Sequence, residues 1–164
     1  MFVPDGLYAL YHVNREGVKQ SIDIFDRFGY GDLTFAKAKE IIPSFVQISN
    51  QSVDGRQVVS LRLAGNGKYL SDMEDGDDRF DGRFEFRGDS MTPFEFITPE
   101  NTTSYQVDRL EQNCSEICGI FKVTIRCLTS DKKNIVHPFI DYRKKSKGIF
   151  ILEKRFHSFY FVLL

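Results

Sequence analysis

Three observations predict an all-β fold, a β-trefoil of three four-strand repeats. Apolar and polar residues alternate with the period of a strand, turn-forming glycines and asparagines separate the alternating runs, and one phrase recurs three times along the 164 residues. The phrase is clearest in the middle of the chain. It runs Val58-Val59-Ser60-Leu61-Arg62-Leu63, then Gly67-Lys68-Tyr69-Leu70-Ser71, then Pro93-Phe94-Glu95-Phe96-Ile97. It returns as Lys122-Val123-Thr124-Ile125-Arg126, Lys133-Asn134-Ile135-Val136 and Ser158-Phe159-Tyr160-Phe161-Val162. A fainter copy starts at Gly6-Leu7-Tyr8-Ala9-Leu10-Tyr11 and closes on Ser44-Phe45-Val46-Gln47-Ile48. The opening positions Tyr8, Val59 and Val123 are 51 and 64 residues apart, and the closing positions Phe45, Phe94 and Phe159 are 49 and 65 apart. Both ends of the unit repeat with nearly the same two periods. The expected organisation is therefore one domain over residues 1–164, with repeats at about 6–48, 58–97 and 121–162.

Taken in order, the first repeat opens with an alternating run and closes on Phe45-Val46, and its middle contains the one ambiguous stretch. Leu33 to Ile42 fits helical spacing as well as strand spacing, and Pro43 ends it either way. In the second repeat Gly65-Asn66-Gly67 supplies a turn, since Gly and Asn tolerate positive φ. Phe84-Glu85-Phe86 and Phe94-Glu95-Phe96 each alternate as half-buried strands. The third repeat opens on Val123-Thr124-Ile125 and is interrupted by a long basic stretch.

Composition agrees with a single core. Hydrophobic residues make up 41% of the chain and include sixteen Phe and no Trp, so Phe and Tyr must carry the aromatic packing. No run approaches the 18 or so apolar residues of a membrane-spanning helix. Met1-Phe2-Val3-Pro4-Asp5-Gly6 lacks the basic and apolar regions of a signal peptide. The expected location is outside the cell, by an unconventional route or from a sequence that begins after its signal; the alternative is the cytoplasm. Cys114, Cys118 and Cys127 match no zinc spacing, and are expected as thiols or as one Cys114–Cys118 bridge. Sequons stand at Asn50, Asn101 and Asn113.

Candidate sites differ in weight. The acidic run Asp72, Glu74, Asp75, Asp77, Asp78, Asp81 fails the register of a calcium loop: with Gly76 at the sixth position, Ser71 and Met73 fall where oxygen ligands belong. A solvated loop is expected there, and no metal or cofactor. Arg87-Gly88-Asp89-Ser90 spells the integrin-binding tetrapeptide, but it follows a strand, where an ordinary turn is expected. His12, His137 and His157 stand in no recognisable nucleophile or metal motif, so no enzymatic activity is expected.

The strongest local signal is basic. Tyr142-Arg143-Lys144-Lys145-Ser146-Lys147-Gly148 holds four cations in five positions. From Arg126 to Arg155 nine basic residues face three acidic ones, a segment of +6 in a chain of net charge −1. Lys132, Lys133, Arg143, Lys144, Lys145, Lys147, Lys154 and Arg155 are therefore the candidate residues for sulfate or phosphate groups. Arg supplies a fork of donors, Lys a point charge, and a polyanion gains by releasing counterions.

Val58-Val59-Ser60-Leu61-Arg62, Lys68-Tyr69-Leu70-Ser71 with Met73 and Asp75-Gly76, and Phe96 with Tyr105 nine residues on resemble the fibroblast growth factors. His157-Ser158-Phe159 near the end is similar to that family's closing phrase. Phe94 stands where the family has cysteine, and Thr98 where it has glutamate. The resemblance implies a β-trefoil that acts as a growth-factor or cytokine-like signalling ligand. It further implies heparin binding (a sulfated glycosaminoglycan on the closing basic stretch) and a receptor ectodomain, of tyrosine-kinase type, on another face. Neither nucleic acid nor membrane insertion is expected. Interleukin-one-like and fascin-like trefoils share such phrases. The alternative function is thus an intracellular, fascin-like scaffold that bundles actin or holds other proteins. A sugar-binding lectin fits less well, because such trefoils offer a Trp or Tyr platform and a Q-x-W motif in each repeat, and this chain has no Trp.

Overall fold

The computed structural model describes residues 1–13, 17, 19–27, 30–35, 44–72, 84–99, 119–128, 135–136 and 148–155, and every regular element among them is a strand. The ten strands are β1 (Gly6–Val13), β2 (Lys19–Arg27), β3 (Tyr30–Phe35), β4 (Ser44–Val53), β5 (Arg56–Leu63), β6 (Tyr69–Asp72), β7 (Phe84–Gly88), β8 (Phe94–Ile97), β9 (Ile120–Cys127) and β10 (Ile149–Lys154). The all-β expectation holds. The stretch from Leu33, ambiguous in sequence, begins as β3, and residues 36–43 lie outside the described set.

Six strands close into a ring. β1 pairs with β4, β4 with β5, β5 with β8, β8 with β9, β9 with β10, and β10 returns to β1, all antiparallel. Closure gives each of the six a strand partner on both sides. Opening and closing strands face each other around the ring: Val59 lies opposite Phe94, Val123 opposite Phe150, and Tyr8 opposite Val46, one residue past the Phe45 that the sequence pattern aligned with Phe94. Two hairpins stand beside the ring, β2/β3 and β6/β7, joined to each other where β3 pairs with β7.

Alternation builds the core. One side of β9 buries Phe121, Val123, Ile125 and Cys127, while Ile120, Lys122, Thr124 and Arg126 stay half-buried on the other. The same rule sends Tyr8 and Leu10, Val46 and Ile48, Val59 and Leu61, Phe94 and Phe96, and Phe150 and Leu152 into one cluster. Leu70, Phe84 and Phe86 join it from the β6/β7 hairpin, where the Phe84 and Phe94 rings lie 6.0 Å apart. A two-residue turn links β4 to β5 through Asp54 and Gly55, with φ of 52° and 77°. Both central residues have positive φ, the backbone of a two-residue hairpin whose twist matches its strands.

β10 closes the ring, whereas the sequence pattern placed the closing strand of the third repeat at Ser158–Val162. Those residues, with Phe159, lie outside the described set. β10 is buried on both faces: Phe150 and Leu152 enter the main core, and Ile149 and Ile151 pack with Val13, Tyr11 and Ile120 in a second cluster.

Candidate functional site

Of the eight cations assigned to an anion site, Lys154 and Arg155 are described; Lys132, Lys133, Arg143, Lys144, Lys145 and Lys147 lie outside the described residues. Lys154 ends β10 opposite Tyr8, and Arg155 follows it, exposed. Two backbone bonds hold this end in place: the Lys154 N–H donates to the Gly119 carbonyl and the Arg155 N–H to the Leu7 carbonyl. The Arg155 guanidinium lies over the Phe45 ring, 5.0 Å from its centre. Gly6, at φ +154°, gives the Lys154 stem room, because a Cβ there would stand 3.3 Å from Lys154 Cε. Ring residue and glycine thus both shape the cationic corner.

Strand pairing sets the distances along this surface. Ile149 lies opposite Thr124 and Glu153 opposite Ile120, so β9 ends and β10 begins at one end of the pair, and Lys154 and Arg155 sit at the other. Five residues of strand separate the two ends, roughly 17 Å at about 3.3 Å per residue. Lys122 and Arg126, on the outward row of β9, stand between them. Arg126 is engaged: its guanidinium reaches the Glu95 carboxylate at 3.1 Å, and Arg56 approaches the same carboxylate at 3.7 Å.

Glu95 also lines a cleft of about 320 Å³ with Met1, Phe2, Asn50, Gln57, Val59 and Phe96. Nothing in the sequence signals this cleft, because its walls come from four separate stretches. Asn50, one of the three sequons, is committed to structure here. Its amide nitrogen donates to the Val3 carbonyl and the Asp5 carboxylate, each at 2.7 Å, and its backbone N–H donates to Asp5 at 2.8 Å. These bonds fasten residues 1–5 across β4, so the sequon lies on a strand with its acceptor nitrogen occupied. Asn101 and Asn113 lie outside the described residues.

The remaining candidates are placed as follows. His12 is buried inside the ring, its imidazole 5.7 Å from the Phe150 ring; His137 and His157 lie outside the described residues. Cys127 is a buried thiol, with Cys114 and Cys118 outside that set. Asp72 ends β6, and the rest of the acidic run lies outside the described residues. Among the described residues no group of three or more His, Cys, Asp or Glu side chains could hold a metal ion, and no helix is long and apolar enough to cross a membrane. Arg87, Gly88 and Asp89 fall at the end of β7, where the Asp89 carboxylate accepts a charge-assisted hydrogen bond from Lys68. That bond holds the Asp89 carboxyl below the usual carboxylate range.

Neither protein-family models, nor curated proteins, nor solved structures yield a match to this chain.

Proposed function

We propose that this chain is a β-trefoil ligand of growth-factor or cytokine type, which takes a sulfated glycosaminoglycan on its third repeat and a receptor ectodomain on another face. The trefoil part is supported by the order of the ring: opening and closing strands alternate around it as β1, β4, β5, β8, β9, β10, in three pairs. The single observation that carries the ligand part is charge. A segment of +6 runs from the end of β9 to the residue after β10 in a chain that is otherwise acidic. Six of its cations fall in sequence between the two strands and two, Lys154 and Arg155, at the end of β10, and a glycosaminoglycan chain is long enough to engage many of them together. Exposed charge pairs contribute little one at a time, but a polyanion neutralises many together and releases counterions. No covalent chemistry is involved in such binding, so the protein acts as a ligand and not as an enzyme.

Heparin chromatography tests the reading. The protein is expected to be retained at physiological salt and to elute steeply as salt rises. Changing Arg143, Lys144 and Lys145 together to Ala is expected to lower the eluting salt concentration without changing the melting midpoint. Reversing Asp75, Asp77 and Asp78 is expected to affect it much less, since those acids belong to the second repeat. A wild-type protein that passes through the resin at physiological salt would remove the main support for an extracellular ligand and favour the intracellular, fascin-like scaffold.

A further inference from the structure

The end of β7 presents two exposed charges on either side of an inward-packed glycine, just before the chain bends at Asp89 and Ser90. Gly88 stands between Arg87 and Asp89 with its missing Cβ turned toward the protein: a Cβ there would lie 3.0 Å from the Ser90 carbonyl oxygen, 3.4 Å from that of Tyr69 and 3.5 Å from Ser71 Cβ. Arg87 and Asp89 on either side are exposed, and the Asp89 side chain is 87% exposed. The base of the loop is held. Gly88 is paired with Tyr69, the Asn66 side-chain amide donates to the Phe86 carbonyl, and Lys68 anchors Asp89.

We infer that Arg87-Gly88-Asp89 is an adhesion site read by a receptor of the integrin class, one that offers a divalent cation to the Asp89 carboxylate and an acidic pocket to the Arg87 guanidinium. The inference rests on the extracellular half of the proposed function. A hard divalent cation takes carboxylate oxygens as ligands, and the exposed Asp89 carboxylate presents one. Lys68 does not block it. An ion pair this exposed is weak, and it is exchanged readily for a cation of higher charge. The Asp89 carboxylate is ionised at neutral pH with or without Lys68, whose hydrogen bond lowers its pKa further. Arg87 serves the other end because a guanidinium forks onto a carboxylate, which Lys does not reproduce. Gly88 keeps the segment between the two charges packed against Tyr69 and Ser90, where a Cβ would crowd both carbonyl oxygens.

The experiment immobilises the full chain and passes the purified ectodomain of an Arg-Gly-Asp-reading integrin over it in Mn²⁺ or in EDTA. Wild type is compared with D89E and R87K, and melting midpoints report the fold. Saturable binding in Mn²⁺, abolished by EDTA and competed by a linear Gly-Arg-Gly-Asp-Ser peptide, is the expected result. D89E keeps the charge but displaces the carboxylate by one methylene, and is expected to bind roughly tenfold more weakly or worse at an unchanged midpoint. R87K is expected to weaken binding in the same direction. Absence of cation-dependent binding by the wild type, or D89E binding as tightly as wild type, overturns the inference. Heparin retention of the same proteins is read separately and is expected to be equal for wild type and D89E. A failure here therefore differs from a failure of the glycosaminoglycan reading, which shows on the heparin column alone.

Discussion

Tyr8 shows how one side chain ties the fold to solution conditions. It is fully buried in the ring, its hydroxyl donates to the Pro4 carbonyl at 2.6 Å, and its ring packs edge-on against Phe121 at 6.1 Å. Burial, helped by the nearby Asp5 charge, pushes the phenol from its ordinary 10.0 up to about 12. The folded state therefore holds this proton more tightly than the unfolded chain. Stability from Tyr8 is complete below about pH 10 and is lost as pH rises toward 12, where only the unfolded chain would otherwise ionise. In denaturant melts across that range, Tyr8→Phe is expected to flatten the alkaline decline while costing little more than its hydrogen bond, about 1 kcal/mol, at pH 7. An unaltered alkaline slope would show that the decline comes from other groups. Asn50 makes a parallel case. Asn50→Ala removes the two side-chain bonds to Val3 and Asp5 but leaves the backbone N–H of residue 50 donating to Asp5, and the expected loss is roughly 1–2 kcal/mol. Occupancy of the Asn50 sequon is expected to be nil in glycan mapping of secreted material.

β8 and β10 show why some strands were legible in sequence and others were not. Phe94-Glu95-Phe96 alternates because only one face of β8 is buried, with both rings in the core and Glu95 outside bridging Arg126 and Arg56. β5 and β9 carry the same period-2 signature, and their positions follow from it. β10 reads Ile-Phe-Ile-Leu, a continuous apolar run, since its two faces enter two different clusters. Such a run has no period, whereas Phe159-Tyr160-Phe161 carries aromatic residues two apart as β8 does, and so drew the closing position of the repeat. The anion site divides along the same line. Its charge is visible in the sequence, but the placement of Lys154 and Arg155 beside Ile120, at the start of β9, is decided only by strand pairing. The cleft beside Glu95 is illegible for the same reason, because its walls meet only through the β4, β5 and β8 ladders. Packing in β8 can be measured directly. Phe94 and Phe96 are almost fully buried, and replacing either with Ala is expected to cost about 3–5 kcal/mol, a large part of the roughly 5–15 kcal/mol that stabilises a domain of this size. Near-neutral values in chemical denaturation would mean that the strand does not supply the shared core.

Closure of the ring makes the fold cooperative. Each of its six strands is paired on both sides, so breaking one ladder opens two edges and exposes the cluster that all six share. The chain also joins its ends late. β1 pairs with β10 across some 140 residues of sequence, Tyr8 lying opposite Lys154, so the pairing of greatest sequence separation among the ring strands is also the one that closes the ring. Local damage should then depend on whether it falls on the ring or beside it. Proline discriminates, since it removes a ladder N–H without demanding a large change of volume. At Leu152, in the middle of β10 between Phe121 of β9 and Leu10 of β1, proline interrupts the closing ladder inside the core. At Gln51, near the exposed tip of the β4/β5 hairpin and opposite Val58, it interrupts only the arm that extends past the ring. Leu152→Pro is expected to abolish the cooperative thermal transition and to reduce the β-type circular dichroism, whereas Gln51→Pro is expected to retain both with a modestly lower midpoint. If the two variants melt alike, stability is distributed among separate hairpins and the ring is not the cooperative unit.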